Sequence, residues 1–331
     1  MDREAFGLLL GQVSVLDGVQ RETLCHVLSD QDPEAEVAAL VDGAGGGSRA
    51  CPRCRSDRIG AWGQAHDLPR YRCKACLRTF NALTGTSLAR LRHKDRWLGF
   101  AAALAQAASI RKTAKACAIA IQTSFRWRHR FLAAPSCEQP ALLSGIVEAD
   151  ETFFRRSFKG LHAWSHPGEG IIPPRPAARH RGAPTGRRGT PLDEQTPVLV
   201  MRDRQRNTGY AILPDLTAQT IGSCLKPMLA PDAVLCTDTA AVYTRIARET
   251  GIHHEPINIS AGERVRDHAF HLQNVNAYDS RLKDWMHRFR GVATKYLSSY
   301  LGWRRMIEAL HNTLAPASIL IACSQPGGLN T

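Results

Sequence analysis

The chain has 331 residues, 44% of them hydrophobic, and carries 43 Lys and Arg against 30 Asp and Glu, a formal net charge of +13. That length suits about two domains with packed cores. There is no run of 18 apolar residues, and the N-terminus has acids near its start in place of a secretory pattern. These features set aside a membrane span and predict a cytoplasmic protein, its ten cysteines reduced or metal-bound. The cation excess predicts a polyanionic partner, nucleic acid.

Residues 1–45 read as a short helical segment, "VQRETLCHVLSD", closed by the Gly-rich "DGAGGGSRA". Residues 46–82 follow as a zinc ribbon. Cys51 and Cys54 form one CxxC, Cys73 and Cys76 the second, with 18 residues between the pairs. Each pair turns tightly enough to offer two thiolates to one ion, and two pairs complete a tetrahedral Zn²⁺ site. A disulfide reading would need an exported chain. With four protein ligands the zinc is expected to be structural, and His66 is not needed. Trp62, Tyr71 and Phe80 give the short strands between their apolar cover.

Residues 90–135 read as a helical, helix-turn-helix-like region. "DRWLGFAAALAQAA" is a helix with Asp95 as its cap, and "SIRKTAKACAIAIQTSFRWRHRFLAA" reads as helix, turn, helix, with Ser109 or Thr123 as caps. Between Arg111 and Arg130 lie six Lys or Arg and no acid. Arg111, Lys112, Lys115, Arg126, Arg128 and Arg130 are the expected DNA contacts, the second helix entering a groove. A basic solvated helix pair is the plainer alternative.

After the linker "APSCEQP" the pattern changes. Residues 144–312 read as one domain opening on the strand "SGIVEADETFF". A basic insertion, 155–195, holds "PPRPAARHRGAPTGRRGTP"; it reads as a loose linker or as a loop gripping phosphates through residues such as Arg187 and Arg188. "TPVLVMRDR" and "TGYAILP" then form a hairpin, and helices alternate with the strands "DAVLCTD" and "IHHEPIN". The long helix "HLQNVNAYDSRLKDWMHRF" shows an apolar stripe of Val275, Tyr278, Leu282, Trp285, Met286 and Phe289. Three strands in a meander, then alternation with helices, predict an α/β fold of the RNase-H-like kind, a mixed sheet flanked by helices.

Two of these strands are read as ending in an acid, at Asp150 and Asp238. Adjacent carboxylates repel unless a cation lies between them, and Mg²⁺ or Mn²⁺ takes such oxygen ligands. Paired ions of this kind activate an attacking oxygen and stabilise a leaving one in phosphoryl transfer. Glu148 and Glu151 are candidates for supporting roles. On the long helix Asn276 and Lys283 are seven residues apart, two turns, so they share a face. Asn276 can supply a metal ligand and Lys283 can hold a phosphate; Asp279 is the rival third ligand.

The stretches "CPRC…YRCKAC", "TSFRWRHRFL", "VEADETFF…SFKG", "TPVLVMRDR", "LCTD" and "HLQNVNAYDSRLKDWMHRFRGVATKYLSSYLGWRR" together resemble the insertion-sequence transposases that carry an N-terminal zinc ribbon and an Asp-Asp-Asn/Glu triad. The resemblance spans about residues 50–310 and its last stretch is the most specific. It implies Asp150, Asp238 and Asn276 as Mg²⁺ ligands with Lys283 beside them, and Asp279 stands where relatives often have His. It also implies binding to element ends, strand cleavage that frees a 3′-hydroxyl, attack of that hydroxyl on target DNA, and a homo-oligomer on DNA. The basic insertion and residues 281–305 would hold backbone phosphates. The neutral Asn276 leaves a second reading open, a DNA-binding regulator that has lost catalysis.

Overall fold

The structure is a computed structural model. It describes residues 7–325 except 9–10, 14, 29–31, 45–48, 141, 161–193 and 311–314. The chain divides into two compact units, residues 1–138 with 299–331, and residues 139–298. The second unit therefore stops short of the 144–312 span read from the sequence.

In the first unit, helix α1 (Gly18–Leu28) is followed by α2 (Pro33–Gly43). Asp32 caps α2 by accepting from the Glu34 N–H, and Pro33 opens it, an N-terminal signature the sequence reading passed over. Strands β1 (Ile59–Ala65), β2 (Leu68–Cys73) and β3 (Thr79–Phe80) form an antiparallel three-stranded sheet, the expected ribbon. Helices α3 (Trp97–Ala105), α4 (Ile110–Ala116), α5 (Ile121–Phe131) and α6 (Ala133–Cys137) follow. Ser109 caps α4 through the Lys112 N–H. Asp95 does not cap α3: it lies in a single 3₁₀ turn, Lys94–Arg96, leading into that helix. Thr123 is inside α5, which starts after Ala120 with no side-chain cap.

Aromatic rings close this core, with Phe131 4.8 Å from Phe100 and 5.9 Å from Trp97. Helices α10 (Leu297–Ala309) and α11 (Pro316–Ser324) complete the first unit from residue 299 onward. Trp303 is fully buried and donates its Nε1–H to the Leu104 carbonyl at 3.1 Å.

The second unit is built on a five-stranded sheet ordered β6-β5-β4-β7-β8. Its strands are β4 (Ile146–Arg155), β5 (Gln195–Asp203), β6 (Thr208–Ile212), β7 (Val234–Asp238) and β8 (His253–Ile257). The first three form an antiparallel meander; β7 and β8 join β4 in parallel. Helices α7 (Ala218–Leu225) and α8 (Ala241–Thr250) lead into the parallel strands, and α9 (Gln273–His287) follows β8. This is the RNase-H-like arrangement the element order predicted.

Side-chain alternation divides β4 between two faces. Val147 and Ala149 point into a core with Leu199, Met201, Leu235, Ile221, Tyr243 and Ile246, under α7 and α8. Glu148, Asp150 and Thr152 point to the other face, in register with Arg202, Val200 and Val198 of β5. Helix α9 packs on β4 and β5 and buries Val275, Tyr278, Leu282 and Trp285. Each such side chain removed from water contributes ~1.5–3 kcal/mol.

Candidate active site and metal centres

Asp238 is the last residue of β7, as the sequence suggested, and its side chain accepts from the Ala240 N–H at 3.0 Å. Asp150 is not at a strand end. Strand β4 continues to Arg155, because the apolar "TFF" after the acids pairs with β5 as far as Gln195. Asp150, half-buried, is instead left without a β7 neighbour by the sheet's stagger: parallel pairing with β7 ends at Glu148–Cys236, two residues earlier on each strand. Asp150 and Asp238 thus emerge together on neighbouring strands, close enough to raise Asp150. Burial is the main cause of that rise, and the Asp238 charge adds to it against the Glu151 N–H and Lys283.

Glu151 points to the opposite face, where it accepts from the Tyr243 hydroxyl at 2.5 Å. Its carboxyl is raised chiefly by burial and also by Asp150 and Asp238. Glu148 is completely buried, and its partners belong to the start of α9 and to Arg204. Neither residue sits where Asp150 does, and their distinct environments were not legible from spacing alone.

Helix α9 brings Asp279 and Lys283 to Asp150. Asp279, the rival third ligand of the sequence reading, is only 6% exposed. Its pKa is pushed up to about 7, first by burial and then by Asp150, with Lys283 opposing. Its Oδ1 is buried without a hydrogen-bond partner. Asn276, one turn earlier, is exposed and lines a shallow cleft with Ile257, Gly262, Glu263 and Leu272. Ile257 is the register partner of Asp238 on β8, which places that cleft at the same end of the sheet.

Carboxylates are the donor type a hard cation takes. Asp279 is buried and Asp150 and Asp238 are half-buried, the Asp150 charge raises Asp279 and the Asp238 charge raises Asp150, one Asp279 oxygen lacks a donor, and Lys283 opposes the charge on both Asp150 and Asp279. Asp150, Asp238 and an α9 group, Asp279 or Asn276, would hold it.

The four ribbon cysteines also converge, their sulfurs all within 4.8 Å of one another. Cys51 and Cys76 are 3.7 Å apart and Cys54 and Cys73 3.5 Å. A tetrahedron of Zn–S bonds of about 2.3 Å has edges of about 3.8 Å, so the donor set fits zinc. Backbone N–H groups of Ala75 and Cys76 approach the Cys73 sulfur at 3.4 and 3.5 Å. The Cys76 amide is the main reason the Cys73 thiol falls to about 6. Cys54 goes the other way, to about 12: the Ser56 amide favours its thiolate, but the neighbouring sulfurs outweigh it.

Among the expected DNA contacts, Arg111, Lys112, Lys115 and Arg126 are exposed on α4 and α5. Arg128 is not available to a groove. It is 1% exposed, donates to the Ala108 carbonyl at 2.6 Å and to Thr113 Oγ1 at 3.3 Å, and lies over the Trp303 ring. Arg130 is half-buried, its guanidinium held by the carbonyls of Ser87 and Ala89. Alternating arginines on a helix with 3.6 residues per turn cannot all face one way. Arg187 and Arg188 lie outside the described residues. No described helix is long and apolar enough to cross a membrane.

The mixed five-stranded sheet and the cysteine ribbon are the architecture expected of an insertion-sequence transposase, and the comparisons with known proteins support that class. Residues 142–304 match the ISXO2-like transposase domain, so this part of the chain is similar to a transposase family. It is also 28% identical over 257 residues to a protein described as an uncharacterized protein in transposable element ISH50, from Halobacterium salinarum, covering 76% of this chain and 82% of that protein. DNA is the partner the family implies.

Proposed function

We propose that the chain cuts DNA at the ends of a mobile element and joins the freed 3′ ends to target DNA, using Asp150, Asp238 and a third α9 group as the divalent-metal ligands. The observation that carries this reading is the partnerless Asp279 oxygen, buried beside Asp150 at the rim where Asp238 also ends its strand. When bound, Mg²⁺ or Mn²⁺ supplies activation of the attacking oxygen and charge stabilisation at the phosphorus.

The chain's residues do the rest. Lys283, exposed and coupled to both Asp150 and Asp279, holds a phosphate oxygen of the scissile strand. In the first step water adds to phosphorus and the P–O3′ bond breaks, leaving a 3′-hydroxyl and a 5′-phosphate. In the second, that hydroxyl adds to a target phosphorus and a target 3′-oxygen departs with the proton. One phosphodiester bond forms as one breaks, so no energy-supplying cofactor is needed. The ribbon with its Zn²⁺ and the exposed cations of α4 and α5 hold element ends, the protein acting as a homo-oligomer on paired ends. The resemblance assigns the third ligand to Asn276; burial and the coupling to Asp150 favour Asp279.

The test is cleavage of element-end DNA with Mg²⁺ by purified protein. Asp150→Asn or Asp238→Asn should lower cleavage by three or more orders of magnitude, on the scale of lost catalytic groups, and leave DNA binding within about twofold. Asn276→Ala and Asp279→Asn, compared in the same assay, identify the third ligand by the larger loss. Tight end binding by the unaltered protein without any cutting would sink the enzyme reading and favour a regulator.

A further inference from the structure

Helix α9 has a local side-chain acceptor for its first N–H, with Gln273 donating to His271 Nδ1 at 3.3 Å, but none for the next two. Its N-cap residue is Leu272, whose side chain has no acceptor. The missing acceptor comes from 126 residues away. Glu148 Oε2 accepts from the Asn274 N–H at 2.8 Å and the Val275 N–H at 2.9 Å. These are the second and third residues of the helix, where orphan N–H groups need partners and the helix dipole favours an anion. Glu148 Oε1 accepts from Asn274 Nδ2 at 2.9 Å and from Arg204 Nη1, and His271 Nδ1 lies 3.3 Å away. Arg204 is anchored in turn, donating through Nη2 to the Ala269 carbonyl at 2.6 Å. The carboxylate is wholly buried, and the polar groups around it satisfy both of its oxygens.

This clamp stands next to the acidic cluster. Two residues along a strand advance about 6.6 Å, and one helical turn from Val275 to Asp279 advances about 6 Å. Starting from the Glu148–Val275 contact, equal steps along β4 and α9 arrive at Asp150 and Asp279, the pair that is electrostatically coupled. One carboxylate thus ties a fixed point of the helix to a fixed point of the strand, alongside the apolar seam of Val275, Tyr278, Leu282 and Trp285.

We infer that Glu148 is a positioning residue: by capping α9 from strand β4, with Arg204 holding it in place, it sets the spacing between Asp150 and the α9 groups that share its cation. This rests on the proposed metal site. A hydrophobic side chain at this position would fill the space, but it could neither accept the two N–H groups nor fix the helix against sliding.

The test is Mn²⁺ binding to the full-length protein by titration calorimetry, with the Mn²⁺-induced rise in Tm as a second readout. Glu148→Gln should weaken binding about tenfold, the scale for partners that orient metal ligands. Because this change also deletes a negative charge, Arg204→Ala decides the cause. Removing a cation should tighten Mn²⁺ binding if only long-range charge matters, whereas loss of positioning weakens it. Weaker binding in both variants supports the proposal. Unchanged or tighter binding in Arg204→Ala overturns it, and that variant keeps the test valid if Glu148→Gln does not fold. Asp150→Asn is run alongside: if it binds Mn²⁺ as the unaltered protein does, the metal site itself is refuted. If it alone loses Mn²⁺, only the role of Glu148 fails.

Discussion

Asp279 is a residue whose cost to the fold is visible. Its carboxyl is raised from the usual aspartate range to about 7, with burial the main cause. The folded protein therefore holds a proton there more tightly than the unfolded chain does. Stability from this group is fully present below about pH 4, the unfolded value, and is lost as pH rises through about 7. In metal-free protein, Tm should fall across that window, and Asp279→Asn should flatten the fall and raise Tm at pH 8. Added Mn²⁺ should restore the Tm of the unaltered protein at pH 8 and do little for the variant, since a ligand that binds only the folded form stabilises it. A variant that gained nothing at pH 8 would mean the carboxyl is not strained. The sequence gives the position of this acid but not its burial. A carboxylate between Tyr278 and Ser280 looks solvated by periodicity, and only the long-range packing of α9 on β4 shows that it is enclosed. Asp238 was legible because an apolar run ended on it; Asp150 was legible as an acid but not as a mid-strand one.

At the scale of single elements, α5 separates two roles that composition merges. Trp127, Arg128 and Phe131 are buried, while Phe125 and Arg126 face outward. Arg128→Ala should therefore act on stability, leaving a cavity beside Trp303 and unpaired acceptors, at a cost of about 2–4 kcal/mol in chemical denaturation. Arg126→Ala should leave the denaturation midpoint unchanged and reduce DNA affinity. The reverse pattern would show that the guanidinium of Arg128 turns outward on DNA. Helix α10 offers a backbone counterpart. A Cβ on Gly302 would stand 2.6 Å from the Ser136 Cα, a distance no side chain adopts, so Gly302→Ala should cost about 1–3 kcal/mol through displaced backbone. The helices and strands themselves were largely legible, since hydrophobic period and turn residues are local. Caps were less so: Ser109 is a local cap, but α9 borrows its acceptor from a strand far away in sequence.

For the whole molecule, the proposed hold on DNA rests on charge and the ribbon. The buried ribbon core is Cys51, Cys73 and Phe80, too little apolar surface to order three short strands unaided. Zinc bound by the four cysteines would supply folding free energy, as small cysteine-ligated modules require. The sequence showed this site plainly, because CxxC spacing is a local constraint, whereas the grouping of residues 299–331 with the first compact unit has no local signature. Chelation of zinc, or Cys51→Ser, should remove one zinc per chain by elemental analysis and weaken element-end binding at least tenfold at fixed salt. The electrostatic share should survive, because the exposed Arg111, Lys112, Lys115 and Arg126 lie on α4 and α5 outside the cysteine site. Each phosphate contact contributes a slope of about −0.9 to log K against log salt. Lys112→Ala should therefore flatten that slope by about one in both zinc-loaded and zinc-depleted protein. If depletion instead abolished the salt dependence, the phosphate contacts would have to belong to the ribbon, and α4 and α5 would lose their assignment.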